Sequence, residues 1–298
     1  MRAVRLRRYG GPEVLRVEDA DPPLPGPQEI VIKVEAASVN PYDGKVRQGR
    51  FDAGPDPAGP VVPGVDAAGV IESVGAAVRG WQPGTAVFGL GRGTYAERAV
   101  LHAWQVRPER IDPATAAAAA TTGEAAVRVL DLLGLRPGGR LLIDGGAGGV
   151  GTVAVQLARR RGLRVLATAS EANHDHLREL GATPVRYGPG LADRVREVWP
   201  DGPDGVFDVA GRSAAADLIG LVPAPDRVVS IANWEAADTG IRLTGGGGDA
   251  VAALTETAAA LAAGELRIPV RTFPLEAAGE AHRLIETGHA RGKLVLLP

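Results

Sequence analysis

The run Leu141-Leu-Ile-Asp-Gly-Gly-Ala-Gly-Gly-Val-Gly151 decides how this chain is read. Arg140–Ile143 is a short apolar strand pattern, Gly145–Gly151 is a glycine loop, and Thr152–Arg161 has helical spacing with Val153, Leu157 and neighbouring alanines on one face. Gly146, Gly148 and Gly151 fall at GxGxxG spacing. That spacing alone is weak evidence. Here it follows a strand, opens a helix and sits in a βαβ unit, the setting a dinucleotide loop requires. The first glycine is expected to make the tight turn. The second lets a pyrophosphate approach the backbone, and the third lets helix and strand pack closely. Ala147, Gly149 and Val150 complete the loop, and the helix N-terminus offers free N–H groups to phosphates. A P-loop is excluded, because no Gly-Lys-Ser/Thr follows. The plain alternative is a glycine-rich turn that binds nothing.

Outward from the loop the β/α alternation continues. Arg164–Thr168, Val206–Val209 and Arg227–Ile231 read as strands, and His174–Leu180 as a helix stopped by Gly181. Buried strands joined by helices predict an α/β fold with a doubly wound parallel sheet. Before residue 113 the pattern is different. Glu29–Glu35 alternates as a strand after Pro22, Pro23, Pro25 and Pro27, and Phe51–Pro60 is a loop by composition. This first third reads as a small barrel or open β-domain. Ala116–Ala120 reads as a small-residue helix start, and Ala125–Leu133 is helical. Gly245–Gly248 is read as a loop or shortened connection, followed by a helix at Ala250–Ala263. The tail gives a helix at Leu275–Glu286 and a last strand at Lys293–Leu297. There is no internal repeat.

Composition narrows the function. The 298 residues include no cysteine, 33 Lys plus Arg and 35 Asp plus Glu, for a net charge of -2. Without cysteine there is no disulfide scaffold and no thiolate zinc site. The near-neutral balance argues against a dedicated nucleic-acid binder. The basic N-terminus, Met1–Gly11, has no apolar run after it, and no apolar stretch reaches the length of a membrane helix. The expectation is a soluble cytoplasmic protein. His174 and His176 are two apart and diverge on a helix, and His102, His282 and His289 are isolated in sequence, so no metal site is expected.

The second strand's end bears on the choice of dinucleotide. NAD-binding loops usually place a carboxylate there for the ribose 2′-OH. Here Ala167-Thr-Ala-Ser170 brings a hydroxyl instead, with Asn173 and His174 just beyond. A hydroxyl donates to a 2′-phosphate, where a carboxylate would repel it, so NADPH is favoured. A register shift of one residue would bring Glu171 to the ribose and favour NAD.

Taken together these segments resemble the zinc-independent medium-chain dehydrogenase/reductases, in their NADPH:quinone oxidoreductase branch. The resemblance runs nearly end to end. It is carried by Asn40-Pro-Tyr-Asp43 with Arg47 and Gly49, by Pro63-Gly-Val-Asp66 through Gly75, and by Pro83–Gly89. It is carried too by Tyr95-Ala-Glu97, by Gly145–Gly151 with Val155–Ala158, by Ala281-His-Arg-Leu, and by Gly292-Lys293-Leu-Val. It implies a GroES-like catalytic domain split as 1–117 and 266–298, a Rossmann domain at 118–265 between the two parts, and commonly a homodimer. It implies that Asn40 and Asp43 face the nicotinamide end, Asn40 near ribose or substrate. It also sets Ser170, Asn173 and Tyr187 near the adenosine phosphate, and Ala210, Gly211, Ile231 and Ala232 along the nicotinamide ribose. Three places depart from the family pattern. Ala125 stands where a Thr is usual, with Thr121 or Thr122 as substitutes; Asp144 precedes the glycine loop; and the region around Gly245–Gly248 is short.

The chemistry then expected is metal-free hydride transfer from NADPH to a quinone or an α,β-unsaturated carbonyl, whose conjugation spreads the developing charge. Tyr42 is a candidate proton donor beside solvent, and Asp43 and Arg47, at i and i+4, are spaced for a salt bridge. Two other readings stand beside the quinone reductase. One is an enoyl or enone reductase of bacterial secondary metabolism. The other is an NADPH-binding sensor or structural protein with little turnover.

Overall fold

Alternating side chains shape the first sheet. In the computed structural model, Ile30, Ile32 and Val34 are buried while Lys33 and Glu35 face out. All residues are described except Ala53, His289 and Ala290, so His289 and one residue of the Phe51–Pro60 loop lie outside the described residues. The chain begins with β1 (Arg2–Arg5), β2 (Arg16–Asp19), β3 (Ile30–Val39), α1 (Pro41–Arg47), β4 (Asp66–Val74), β5 (Ala86–Arg92) and β6 (Arg98–Val106). Next come α2 (Pro113–Leu133), β7 (Arg140–Asp144), α3 (Gly149–Arg160), β8 (Arg164–Ala169), α4 (His174–Glu179), β9 (Thr183–Arg186) and α5 (Leu191–Val198). Last are β10 (Gly205–Asp208), α6 (Ala215–Ile219), β11 (Val228–Ser230), β12 (Arg242–Leu243), α7 (Ala250–Ala262), β13 (Val270–Pro274), α8 (Ala278–Glu286) and β14 (Lys293–Leu297).

Two compact units result. The first comprises Met1–Thr121, Ala250–Ala262 and Ile268–Pro298; the second comprises Thr122–Asp249 and Ala263–Arg267. The sequence reading assigns α7 to the nucleotide-binding domain. It belongs to the first unit, because it packs on β6, buries Leu254 and Leu261, and its Thr255 Oγ1 accepts from Gln105 Nε2 at 2.9 Å.

In the first unit the sheet runs β13-β14-β3-β4-β5-β6, and β6 pairs again with β3, so four strands close on themselves. Neighbours are antiparallel except β13 and β14. Ile30, Ile32, Ile71, Leu101, Tyr95, Phe273, Leu294 and Leu296 share its core. In the second unit all strands are parallel, in the order β12-β11-β10-β7-β8-β9. Leu142, Leu166, Val206, Val228 and Leu218 lie in its core. The strand order reverses between β10 and β7, which in such sheets marks where ligands bind. The α/β class and the doubly wound sheet are as expected. Helix α2 is one helix of 21 residues where the sequence suggested two pieces, and β13 was not anticipated. No helix among the described residues is long and apolar enough to cross a membrane.

Candidate functional site

The glycine loop begins where β7 ends. Gly145 turns with φ +100°, and its N–H donates to Thr168 Oγ1 at 2.9 Å on the neighbouring β8. The turn glycine is therefore Gly145, not Gly146 as the spacing suggested. Gly146 serves close packing: a Cβ there would lie 2.6 Å from Ala167 Cβ. Gly151 closes the loop, since a Cβ would stand 2.1 Å from the Gly145 carbonyl oxygen. Gly148 differs. A Cβ there meets nothing nearer than that same oxygen at 3.7 Å, so the space before it is open. Gly148 is also the N-cap of α3 and, being glycine, offers no side-chain cap to the first-turn N–H groups. Ala147, Gly149 and Val150 sit between these positions. An uncapped helix N-terminus behind an open glycine suits a diphosphate.

The other residues expected to hold the dinucleotide lie at the same, carboxyl-terminal edge of the parallel sheet. Ser170 follows β8, and Asn173 Nδ2 donates to its Oγ at 3.2 Å. Glu171 is turned to Arg186 at 3.5 Å, both side chains being exposed. Tyr187 follows β9 and is half exposed. His174 Nε2 is buried and has no hydrogen-bond partner among the described residues. Ala210 follows β10 and bonds through its N–H to the Asp144 carbonyl at 3.1 Å; Gly211 is next. Ile231 and Ala232 follow β11, with the Ala232 N–H on Ser230 Oγ at 3.1 Å.

Beneath that edge are polar groups the sequence reading did not assign. Asp208 accepts from the Gly211 N–H at 2.7 Å and from Ser230 Oγ at 2.8 Å. Burial, with a smaller push from the Asp144 charge, raises its pKa. Asp144 accepts from Thr168 Oγ1 at 2.5 Å. Only its position before the loop marked it in the sequence.

The first unit gathers the remaining candidates into a buried polar cluster. Asn40 follows β3 and caps α1. Its N–H donates to Asp43 Oδ2 at 2.8 Å, and its Nδ2 donates to Asp66 Oδ1 at 2.9 Å. Its Oδ1 accepts from Lys293 Nζ at 2.6 Å. Asp43 Oδ2 also accepts from Tyr95 OH at 2.8 Å, and Tyr95 OH lies 3.3 Å from His282 Nε2. Arg47 Nε donates to His282 Nδ1 at 3.3 Å, so the proton of the neutral ring sits on Nε2 and points at Tyr95. The expected Asp43–Arg47 bridge does not form: Arg47 pairs with Glu286, and Asp43 turns to Tyr95 and the Asn40 backbone. Successive helical side chains diverge, so Tyr42 leaves the cluster and stacks on Phe51 with centroids 5.1 Å apart.

Two carboxylates face one ammonium in this cluster. Asp66 accepts on both oxygens, from Asn40 Nδ2 and from the Thr121 N–H at 3.2 Å, and Asp43 Oδ1 has no hydrogen-bond partner among the described residues. Asp43 is therefore the carboxyl placed to carry a proton. Burial, then the Asp66 charge, lifts its pKa to about 7. Burial also raises Asp66 and lowers Lys293, opposed in the latter by both carboxylates. Burial, then Arg47, lowers His282 to about 4. Asp66, Tyr95 and Lys293 were visible only as members of the family motifs, and His282 there and as a histidine isolated in sequence. The signal that could have found them is polar residues inside otherwise apolar segments.

Known proteins resemble this chain along its whole length. Residues 26–110 match the alcohol dehydrogenase GroES-like domain, and residues 180–296 match a domain described as zinc-binding dehydrogenase. Among the described residues, no three His, Asp or Glu side chains gather as a metal would need. The human quinone oxidoreductase is 32% identical over 324 residues, covering 100% of this chain and 98% of that protein. An Arabidopsis thaliana chloroplastic NADPH-dependent alkenal/one oxidoreductase is 31% identical, covering 100% of this chain and 80% of that protein. A mycobacterial protein, Rv1454c, solved with NADPH, superposes with a TM-score of 0.87 at 28% identity, covering 100% of each chain. This chain belongs to the medium-chain dehydrogenase/reductase family, in its quinone oxidoreductase branch.

Proposed function

We propose that this protein is an NADPH-dependent reductase acting on a quinone or an α,β-unsaturated carbonyl. The observation that carries the reading is the open face of Gly148 at the uncapped start of α3. A diphosphate fits there without displacing protein atoms. Gly146–Gly151 would hold it by backbone N–H groups, while Ala210, Ile231 and Ala232 would border the nicotinamide ribose. Ser170 and Asn173, with Tyr187 beside them, would receive the 2′-phosphate. Their hydroxyl and amide carry no negative charge, and Glu171 is drawn off by Arg186. When bound, NADPH supplies hydride to the acceptor; the protein aligns the two and excludes water.

The Asn40–Asp43 corner is the part of the first unit we assign to the reacting end. Solvent delivers the proton to the reduced acceptor, and Tyr42, exposed beside Phe51, is the side-chain alternative. The alkenal/one reductase among the relatives keeps an enone beside a quinone as acceptor. Cytoplasmic location and a homodimer complete the proposal, the latter tested by light scattering. The decisive experiment follows NADPH absorbance with a panel of quinones and enones. Acceptor-dependent loss with NADPH, and weaker use of NADH, is expected. Bound NADPH with no acceptor-dependent oxidation would overturn the reductase reading in favour of a cofactor-binding protein.

A further inference from the structure

Lys293 is the unexpected member of the polar cluster. It is one of only three lysines in the chain and is 3% exposed. Removing an ammonium from water costs several kcal/mol, and an apolar residue of similar length would fill the space at no such cost. Its position follows from register. Leu294 of β14 faces Val39 of β3, which sets Lys293 opposite Asn40. Nζ donates to Asn40 Oδ1 at 2.6 Å and to the Val39 carbonyl at 3.0 Å.

The Asn40 carboxamide thus bridges a cation and an anion. Its oxygen faces the Lys293 ammonium, and its Nδ2 faces Asp66 Oδ1 at 2.9 Å and the Ser38 carbonyl at 3.4 Å. Rotating the amide by half a turn would set N–H donors against the ammonium and an oxygen against the carboxylate. Only one orientation is allowed, and both ends of the side chain are engaged by the protein. Asn40 is then held in a fixed orientation at its corner of the first unit.

We propose that Lys293 is a positioning residue for the reduction: its ammonium, acting with Asp66, locks the Asn40 carboxamide and the β3–α1 junction in a single orientation. This rests on the reading that the Asn40 corner serves the reacting end. Lys293 itself contacts neither substrate nor cofactor in this scheme.

The test compares the full-length protein with Lys293→Met and with Lys293→Met/Asp66→Asn. The single variant leaves the carboxylates without a cation and is expected to lose stability. The double variant removes that excess charge; the carboxamide introduced in place of the Asp66 carboxylate keeps an oxygen to accept from Asn40 Nδ2 but sets its amino group against the Thr121 N–H. It is expected to recover part of the thermal midpoint that the single variant loses. Its kcat with 1,4-benzoquinone stays down by at least about tenfold, with NADPH affinity and benzoquinone KM near wild type. Deuterium exchange of the Asn40 side-chain amide, followed by NMR, is expected to be faster in the double variant than in wild type, because without the Lys293 ammonium on its oxygen the carboxamide is free to turn. A folded double variant with wild-type kcat, or with an amide that exchanges no faster, overturns the proposal. Should the wild-type protein reduce none of the acceptors, the reductase reading falls, and the amide exchange alone still decides whether Lys293 is the lock.

Discussion

Gly148 and Gly151 stand three residues apart in one loop, yet an added methyl group meets different surroundings at each. At Gly151 it would run into the Gly145 carbonyl and the Gly146 backbone. Gly151→Ala should therefore cost ~1–3 kcal/mol by overpacking, seen in urea unfolding. At Gly148 the backbone is extended, with φ -75°, and no close atom opposes a side chain. Gly148→Val should leave the unfolding curve in place and abolish NADPH binding, read by fluorescence titration; unchanged affinity would refute the placement of the diphosphate. Ser170→Asp, which sets a carboxylate before the 2′-phosphate, should weaken NADPH by at least about tenfold, ~1.4 kcal/mol, and spare NADH. The glycine loop and the position of Ser170 just after β8 were legible because they are local in sequence. The turn at Gly145 was not, because GxGxxG spacing does not say which glycine takes the positive φ. His282 reads as isolated for a related reason: its partners Tyr95 and Arg47 lie 187 and 235 residues away.

Helix α1 is fixed by groups that titrate in opposite senses. The Asp43 pKa is raised from 3.8 to about 7, so its protonated form is favoured by folding. Its contribution to stability is full below about pH 4 and is lost as pH rises through about 7. His282 is lowered from 6.5 to about 4, so folding favours the neutral ring. That contribution is full above about pH 6.5 and is lost as pH falls through about 4. Between these limits the two slopes oppose. Asp43→Asn keeps the acceptor for Tyr95 and the Asn40 N–H but cannot ionise. Its stability relative to wild type should rise as pH goes from about 4 to 7, measured by urea unfolding at several pH values; a constant difference would show that Asp43 is ionised throughout. Elements of this kind were unevenly legible. Strand β14 was read at its observed bounds, because Lys293–Leu297 is continuously apolar after its first residue. Strand β13 was missed, because it is largely exposed and ends at Pro274, which reads as a breaker. Helix α2 looked like two pieces, because Gly123 interrupts a run that tertiary burial then holds together.

The first unit is built from three separated stretches of chain, and its last strand sits inside the sheet rather than at its end. β14 lies between β13 and β3, pairing Leu294, Val295 and Leu296 with Val39, Ser38 and Ala37. The tail also puts Phe273, Leu275, Ala281, Leu294 and Leu296 into the core. At ~1.5–3 kcal/mol for each large apolar side chain, their loss is on the order of 10 kcal/mol, as much as a whole domain's stability. Removing the tail also takes the Lys293 ammonium from beside two buried carboxylates. A chain truncated after Arg267 should therefore lose the β-rich unit. The second unit keeps every strand of its parallel sheet, because its last short segment is Ala263–Arg267. Limited proteolysis should then degrade residues up to about 121 and leave a resistant fragment spanning the glycine loop, while the full-length chain resists throughout. If the truncated chain instead unfolds in urea as the full-length chain does, the first 121 residues close their core without β14, and the split domain is a matter of connectivity rather than of stability.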